Sequence, residues 1–549
     1  MTAPLSHARA SRRDWIVAVL VVVATGVAST WPLATSPWLV PEHQDPLFSS
    51  WRLYTWAHNL ASLGAGGWFS GNQFYPADTV LLYSDAILLP SLIGAPFILA
   101  GVPVLLVYTG LVWLSILSAG LAMYACARYL SGSHFGALAA AILFVGAPLR
   151  LDHVMHLELL CSAFLPLTVL ATARAFDGSL RGAWGVGASV AAQFLCCIYY
   201  GVFLITLWPI LAAVEWLRRR GRVPLRTVMH AGAALALAGV VAGAYSLPYQ
   251  RARQVVGDRG DGEIDRFSGS FDSYVLSPAT NRLWGWTQAA GESERWLFPG
   301  LMGSALAVSA VTTPAAPWVA AVAVTGLVAA DASRGSAGLV YPIFRRLLSP
   351  YRGLRVPARF GMLTLTMLSL LAAFGCATLG RAFAARPRAG LLAALVLLLM
   401  GIETLANVPV RRMPTAAPPI YKFLGTLPPS VVAHAPLPRA NRLPGFDADF
   451  IYFAQYHRHE IVNGNSGFYP PNYLRLLAET TNLPGNRSMT ALRQAGVEYL
   501  LVHERYFSTP DEYGRAIFGL EARADLDLAG TFADEPGRGE VRVYRLRRE

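Results

Sequence analysis

Lysine is all but missing from this chain. Of its 45 basic residues, 44 are arginine and one is Lys422. The bias reads as a GC-rich bacterial coding sequence rather than as function. Charge of either sign is scarce, at 14% of residues against 54% hydrophobic. That balance excludes an ordinary soluble protein, because a chain this long buries a core without such a composition. Cysteine is rare as well, and Cys126, Cys161, Cys196, Cys197 and Cys376 all fall in apolar runs. Residues 409–549 have none, which excludes a disulfide framework and a cysteine zinc site there. No repeat recurs at a solenoid period. The first apolar run lacks a small-residue cleavage site, so it is expected to be retained as a first helix. The formal charge of +12 implies no nucleic-acid partner, because its distribution follows membrane topology instead.

What is present is a succession of apolar runs. They lie at about 14–34, 104–127, 135–149, 159–176, 183–199, 201–217, 227–247, 296–312, 317–332, 360–380 and 389–408. Each is near the roughly 20 residues a spanning helix needs. The expected fold is therefore mainly α. It is a polytopic membrane helix bundle of about 11 spans over residues 14–408, after a cytoplasmic segment 1–13. Residues 409–549 read as a C-terminal extramembrane α/β domain. "SVVAHAPL", "VEYLLVHE" and "GEVRVYRLR" look like strands, and "MTALRQAG" and "DEYGRAIFGLEARA" look like helices. The stretch "AILLPSLIGAPFILAGVP" (86–103) is apolar but carries Pro90, Pro96 and two glycines, so it is read as interfacial or re-entrant.

Arginine orients the bundle. With the N-terminus inside, the cytoplasmic segments hold 14 bases, including "RRRGR" at 218–222, against three acids, Asp14, Asp177 and Glu215. The remainder of the chain ahead of the tail holds 14 bases and 15 acids. By the positive-inside rule the tail and the loops 35–85, 248–295 and 333–359 lie outside. The location implied is a bacterial inner membrane.

Candidate site residues cluster in these outer segments. Glu42 and Asp45 follow the first span, and a carboxylate at that depth suits a general base acting on an acceptor hydroxyl. The plain alternative is a solvated interfacial acid. The following "DPLFSSWRLYTWAHNLA" reads as an amphipathic helix, with Trp51, Tyr54 and Trp56 as anchors at the membrane–water boundary. In "RLDHVMHLELL" (150–160), His153 and His156 share a helical face with Arg150 one step behind. H-x-x-H alone does not indicate a metal, and no third ligand adjoins it. A polar helix end explains these residues equally well. "CIYYGVF" supplies Tyr199 and Tyr200, which an aromatic belt would also explain. Arg345, Arg346, Arg352, Arg355 and Arg359 break the positive-inside rule. An anionic ligand such as phosphate accounts for them, as does ion pairing with outer acids. Asn463, Asn465 and Ser466, with Tyr469 and Tyr473, could hold a sugar, although an Asn/Gly turn is the simpler account.

Several of these segments carry a resemblance. "DPLFSSW", "NQFYPADTVLLYSDAILLPSLIGAPF", "YTG" at 108–110, "APLRLDHVMHLELLCSAFLPL", "YYG", "LFPGL", "LRVPARF" and "NGNSGFYPP" are similar to those of a bacterial group of multi-pass membrane proteins. That group resembles the GT-C superfamily of polyprenyl-phosphate-dependent glycosyltransferases. The resemblance implies an inverting transfer outside the membrane, from a polyprenyl-phosphate-linked sugar to an envelope glycan, glycolipid or protein. It implies Asp45 as base and the 345–359 arginines as phosphate ligands. Many GT-C enzymes have paired acids in the first outer loop. Here His43 and Gln44 separate Glu42 from Asp45, which leaves Glu42, Asp78 and Asp85 as alternates. No cofactor is implied, and a divalent metal stays open. A transporter would show charged or broken helices in both halves near mid-membrane, and a scaffold would need no outer arginine cluster.

Overall fold

The computed structural model describes residues 10–42, 44–151, 153–289, 291–311, 317–384, 386–534 and 539–547. Contacts divide the chain into two compact units. The first comprises residues 1–37, 109–247 and 258–410; the second comprises 38–108, 248–257 and 411–549.

The first unit is helical. Each expected apolar run coincides with a helix, and polar caps fix several starts. Ser11 and Asp14 form a reciprocal capping box at Arg12–Ser29. Ser133 and Ser179 accept backbone N–H groups at the starts of His134–Gly146 and Leu180–Cys196. Six helical runs are long and apolar enough to cross a membrane by length and composition: Val104–Ser131, His134–Leu151, Leu157–Phe176, Ile198–Arg218, Leu225–Val256 and Pro357–Ala382. Among the other expected spans, Leu301–Val311, Val319–Ala332 and Ala389–Glu403 are shorter, at 11, 14 and 15 residues. Small residues let these helices approach closely. A β-carbon on Gly136 would lie 2.3 Å from the Ala373 carbonyl oxygen, and one on Gly375 would lie 2.0 Å from that of Leu306.

The second unit is α/β. Its five-stranded sheet runs in the order 460–461, 431–435, 499–503, 540–546, 526–533. The first three strands are parallel, and the last two join antiparallel. The strands and helices read from sequence in the tail are present. Strand Leu526–Ala533 goes beyond the sequence expectation, because the alternation of Leu526 and Leu528 is broken at Ala529 and Gly530 and the segment has no Val or Ile. His434 and His503 come from neighbouring parallel strands. His434 Nδ1 lies 2.9 Å from His503 Nε2, and His503 Nδ1 lies 3.4 Å from Asp534 Oδ2.

The tail does not form this unit alone. Residues 72–75 run along the free edge of the 460–461 strand. Ile461 N–H donates to the Asn72 carbonyl at 3.0 Å, Tyr75 N–H to that of Ile461 at 3.0 Å, and Phe74 N–H to that of Asn463 at 3.0 Å. This covers an edge that would otherwise be open to pairing. Phe74 is fully buried against Tyr83, Tyr469 and Tyr473. Gly464 has to be glycine there, since a β-carbon would meet the Phe74 ring at 2.5 Å.

Helix Asp45–Ala61 packs on helices Leu88–Leu99 and Asp447–Phe453 in the same unit. Trp51 and Trp56 are 2% and 3% exposed. Their indole N–H groups donate to Asn72 Oδ1 and the Ala86 carbonyl. Two of the three expected boundary anchors, Trp51 and Trp56, are thus core residues, and Tyr54 is half-buried. The helix buries the face that periodicity alone assigned to lipid. Leu88–Leu99 has 12 residues, about 18 Å of helix, and exposes Leu92, Ile93, Phe97 and Leu99.

Candidate functional site

Two groups of expected residues assemble within the helical unit. The first surrounds a cavity of about 550 Å³, lined by Asp258, Ser336, Tyr341, Pro342, Arg345, Arg346 and Arg352. Helix Tyr341–Leu347 supplies Arg345 and Arg346, and the turn Ser349–Gly353 supplies Arg352. Pro342 and Pro350 open these two short elements. The elements are held together by Tyr341 and Tyr351, both buried and in edge-to-face contact at 5.6 Å. Arg345 is ion-paired with Asp261. Arg346 and Arg352 are exposed and have no acid partner among the described residues. The cavity thus presents two guanidiniums with free forks beside a third already paired.

The remaining two arginines of the cluster do not join this cavity. Arg355 pairs with Glu263 at 3.2 Å, and Glu263 also takes Arg259 at 3.0 Å. The backbone N–H of Arg355 donates to Tyr199 Oη at 3.0 Å. Arg359 turns inward. Its Nε donates to Glu294 at 3.1 and 3.2 Å, and its guanidinium stands 4.6 Å from the centre of the Tyr199 ring. Five arginines close in sequence therefore divide into three at a cavity, one of them ion-paired, and two in ion pairs away from it.

The second group forms around Glu294. His153 Nε2 lies 3.9 Å from Glu294 Oε2. The His153 and His156 rings are 6.0 Å apart, edge to face. Burial by itself would raise the Glu294 carboxyl, but the Arg359 guanidinium and His153 hold it down at about 2. His153 is pushed down to about 3, first by burial and only partly offset by Glu294, so its ring is neutral. Arg150, at the end of His134–Leu151, lies close enough to Tyr200 to interact with it electrostatically. The structure thus brings Arg150, His153, His156, Tyr199, Tyr200 and Arg359 together. Asp152 lies outside the described residues. Glu294, which organises the group, is invisible to sequence reasoning. It is one of seven acids in the 248–295 loop, and nothing in its spacing singles it out. Among the described residues no three His, Cys, Asp or Glu side chains are grouped as metal ligands would be.

The other candidates belong to the α/β unit. Asp45 is the first residue of helix Asp45–Ala61 and is half-buried, while Glu42 is exposed. The preceding Gln44 donates its side-chain N–H to the Gly445 carbonyl. Asn463 is fully buried. Its Oδ1 accepts from His434 N–H at 2.7 Å, and its Nδ2 donates to the His434 carbonyl and to Asp447 Oδ1, both at 3.0 Å. Its amide has both protons committed, so the structure gives it a task in joining two strands to helix Asp447–Phe453. The turn-former reading of this segment is the one the geometry supports.

No family model and no curated protein sequence matches the chain. Among solved structures it is similar to ArnT from Cupriavidus metallidurans bound to undecaprenyl phosphate. The TM-score is 0.53 at 13% identity, covering 97% of this chain and 98% of that one. This chain resembles the GT-C superfamily in fold. The apo form of ArnT matches over the same shares of both chains with a TM-score of 0.50 at 12% identity. The oligosaccharyltransferase AglB from Archaeoglobus fulgidus, in complex with an inhibitory peptide and a dolichol-phosphate, matches at 0.48 and 11% identity. That match covers 89% of this chain and 69% of that one. The GT-C-like fold accounts for a mainly helical membrane bundle joined to an α/β region.

Proposed function

We propose that this protein is a membrane glycosyltransferase that moves a sugar from a polyprenyl-phosphate donor to a cell-envelope acceptor on the outer face of a bacterial inner membrane. The observation that carries the reading is the cavity with Arg345, Arg346 and Arg352, two of them without acid partners among the described residues. It belongs to a chain whose fold is like that of ArnT, a protein bound to undecaprenyl phosphate in its structure. Arginine suits a lipid phosphate because its planar fork donates two N–H groups to two oxygens. The lipid supplies affinity through its buried methylenes, about 0.8 kcal/mol each. The bundle crosses the membrane about 11 times, with the N-terminus inside and the α/β unit outside.

In the inverting step Asp45 takes the proton of the acceptor hydroxyl as its oxygen attacks the anomeric carbon. The bond from that carbon to the phosphate oxygen breaks, and the phosphate leaves with the electron pair. Glu42 is the alternate base.

The test is undecaprenyl phosphate binding by the full-length protein in lipid nanodiscs. A lost charge-assisted hydrogen bond is worth about 1.5–3 kcal/mol, so Arg346→Gln with Arg352→Gln is expected to weaken binding by at least about tenfold. Unchanged binding in that double variant would reject the cavity as the phosphate site.

A further inference from the structure

Two neighbouring turns of the helical unit carry arginines that no acid of the described chain neutralises. The first turn precedes helix Leu180–Cys196, and the second joins helix Ile198–Arg218 to helix Leu225–Val256. They adjoin: a β-carbon on Gly178 would lie 3.8 Å from Pro224 Cγ, and Arg219 reaches Asp177 at 3.0 Å. Residues 171–230 hold seven arginines and two acids, Asp177 and Glu215. Both acids are taken. Glu215 is fully buried and engages Arg218 and Arg219, and Asp177 also accepts from Tyr129 Oη at 2.7 Å. Arg174 stands over the Tyr129 ring, 5.4 Å from its centre. Arg181, Arg220, Arg222 and Arg226 are exposed and have no acid partner among the described residues. The positive-inside rule explains the side on which such residues gather. It does not explain why two are paired within the fold while four are left open.

The second turn crowds its charges. Arg220 has a left-handed φ of 54° and Gly221 follows at 70°, in a region that non-glycine residues seldom adopt. The N–H groups of Arg220 and Gly221 close back on the carbonyls of Leu217 and Trp216 at 2.9 and 3.0 Å, and that of Arg222 on Arg219 at 3.1 Å. Arg220 and Arg222 therefore share one tight turn. Within a helical turn of these charges the surface is apolar, since Trp216, Leu217, Leu225 and Met229 are all exposed. Trp216 lies against Gly221, where a β-carbon would meet its ring at 3.2 Å. Trp184, one helical turn beyond Arg181, is also exposed, with its ring 6.1 Å from that of His230. Tryptophan is favoured where acyl chains give way to headgroups.

We propose that these two turns bind the headgroup of an anionic phospholipid. Arg181, Arg220, Arg222 and Arg226 neutralise its phosphate, and Trp184 and Trp216 lie beside its acyl chains. The chemistry selects this occupant. Guanidiniums without acids require an anion, and exposed tryptophan and leucine within one helical turn require hydrocarbon. An anionic phospholipid supplies both in one molecule. A nucleic acid supplies only the first, and a zwitterionic lipid has no net charge to offer the arginines. A basic cluster beside a span gains attraction to anionic headgroups with each arginine added. The inference rests on the membrane reading of helices Ile198–Arg218 and Leu225–Val256, and it is independent of glycosyl transfer.

The experiment is native mass spectrometry of the full-length protein released from nanodiscs of equal parts phosphatidylglycerol and phosphatidylcholine, counting the lipids retained. Both faces of a nanodisc hold the same lipids, so the result does not depend on orientation. The wild type is expected to retain phosphatidylglycerol over phosphatidylcholine at least tenfold. Arg220→Gln with Arg222→Gln and Arg226→Gln should lower that preference at least tenfold; if this triple variant does not fold, Arg222→Gln alone should lower it severalfold. Arg475→Gln with Arg487→Gln and Arg515→Gln removes the same charge from exposed positions of the α/β unit and should leave the preference unmoved. Equal retention of the two lipids by the wild type would overturn the site. So would a preference unchanged in the turn variants, or one lowered equally by the α/β-unit variant, which would make it an effect of net charge. Displacement of phosphatidylglycerol by an equal concentration of inorganic phosphate would also overturn it, in favour of a soluble anion. Undecaprenyl phosphate binding is measured in the same variants. Its survival in the turn variants would keep the two lipid sites distinct, and its loss there in step with phosphatidylglycerol would overturn a separate site.

Discussion

Asp45 begins a helix, and Glu42 stands three residues outside it, exposed to solvent. A carboxylate on the first helical position sits where the aligned peptide dipoles favour negative charge. Asp45→Asn keeps its shape and removes its basicity. General-base contributions are typically about 10²–10⁴-fold, so turnover in a transfer assay is expected to fall by that factor while lipid binding survives. Glu42→Gln in the same preparation should stay near wild type, and the opposite pattern would move the base to Glu42. A second residue-scale prediction concerns Asp447, buried between Asn463 and Tyr473. Burial raises its carboxyl to about 6, with the hydrogen bonds from Tyr473 and Asn463 opposing. The folded state thus holds a proton more tightly than the unfolded chain. The stability this contributes is complete below about pH 4 and is lost as pH rises through 6. Relative to Asp447→Asn, the wild type is expected to gain up to about 3 kcal/mol on going from pH 7 to pH 4. Thermal unfolding of the two proteins at both pH values reads this difference. His434 and His503, whose basicity burial lowers, titrate in both proteins and cancel in the comparison.

At the scale of elements, the segment 72–75 is the informative one. It extends the sheet beyond the 460–461 strand and buries Phe74 among three tyrosines. Truncating a buried Phe typically costs about 3–5 kcal/mol, so Phe74→Ala is expected to lower the melting temperature clearly. Gly464→Ala should do the same by pushing its β-carbon into the Phe74 ring, and pairing it with Phe74→Ala should recover part of that loss. The tail expressed as 411–549 leaves the edge and the Phe74 socket open. A peptide spanning 68–84 added in trans is expected to raise its unfolding temperature in a concentration-dependent way. No effect of the peptide would mean that the tail folds without this strand.

At the scale of the whole molecule, the proposed orientation rests on the distribution of arginine. The bases that the cytoplasmic assignment collects are partly held in place by acids of their own side. Glu215, fully buried, accepts from Arg218 and Arg219 at 2.7 Å each, and Arg219 also reaches Asp177 at 3.0 Å. Reporter fusions at Arg220 and after Glu549 are expected to read cytoplasm and periplasm respectively. The same side for both would invalidate the orientation, because an odd number of crossings must separate them.

Much of the local structure was determined by the sequence itself. Apolar runs specify helices in a membrane wherever they occur, since backbone groups there must be satisfied within the segment, and all 11 expected runs are helical. Short apolar runs specified two strands of the tail, and alternation specified the last one, 540–546. The outer arginines were recognisable as a feature because they break a rule that depends only on order along the chain. Tertiary structure alone decided what each residue does. Whether an arginine is free or paired depends on acids far away in sequence. Arg359 meets Glu294, 65 residues earlier, whereas Arg346 and Arg352 meet none among the described residues. Asn463 in a turn-rich motif looked available for a sugar, and three hydrogen bonds to distant backbone and side-chain groups commit it to the core instead. Trp51 and Trp56 carried the pattern of membrane anchors, but burial is a property of the neighbours and not of the pattern. Composition and periodicity are local and survive in one dimension. Charge pairing and desolvation are set by what folding brings alongside.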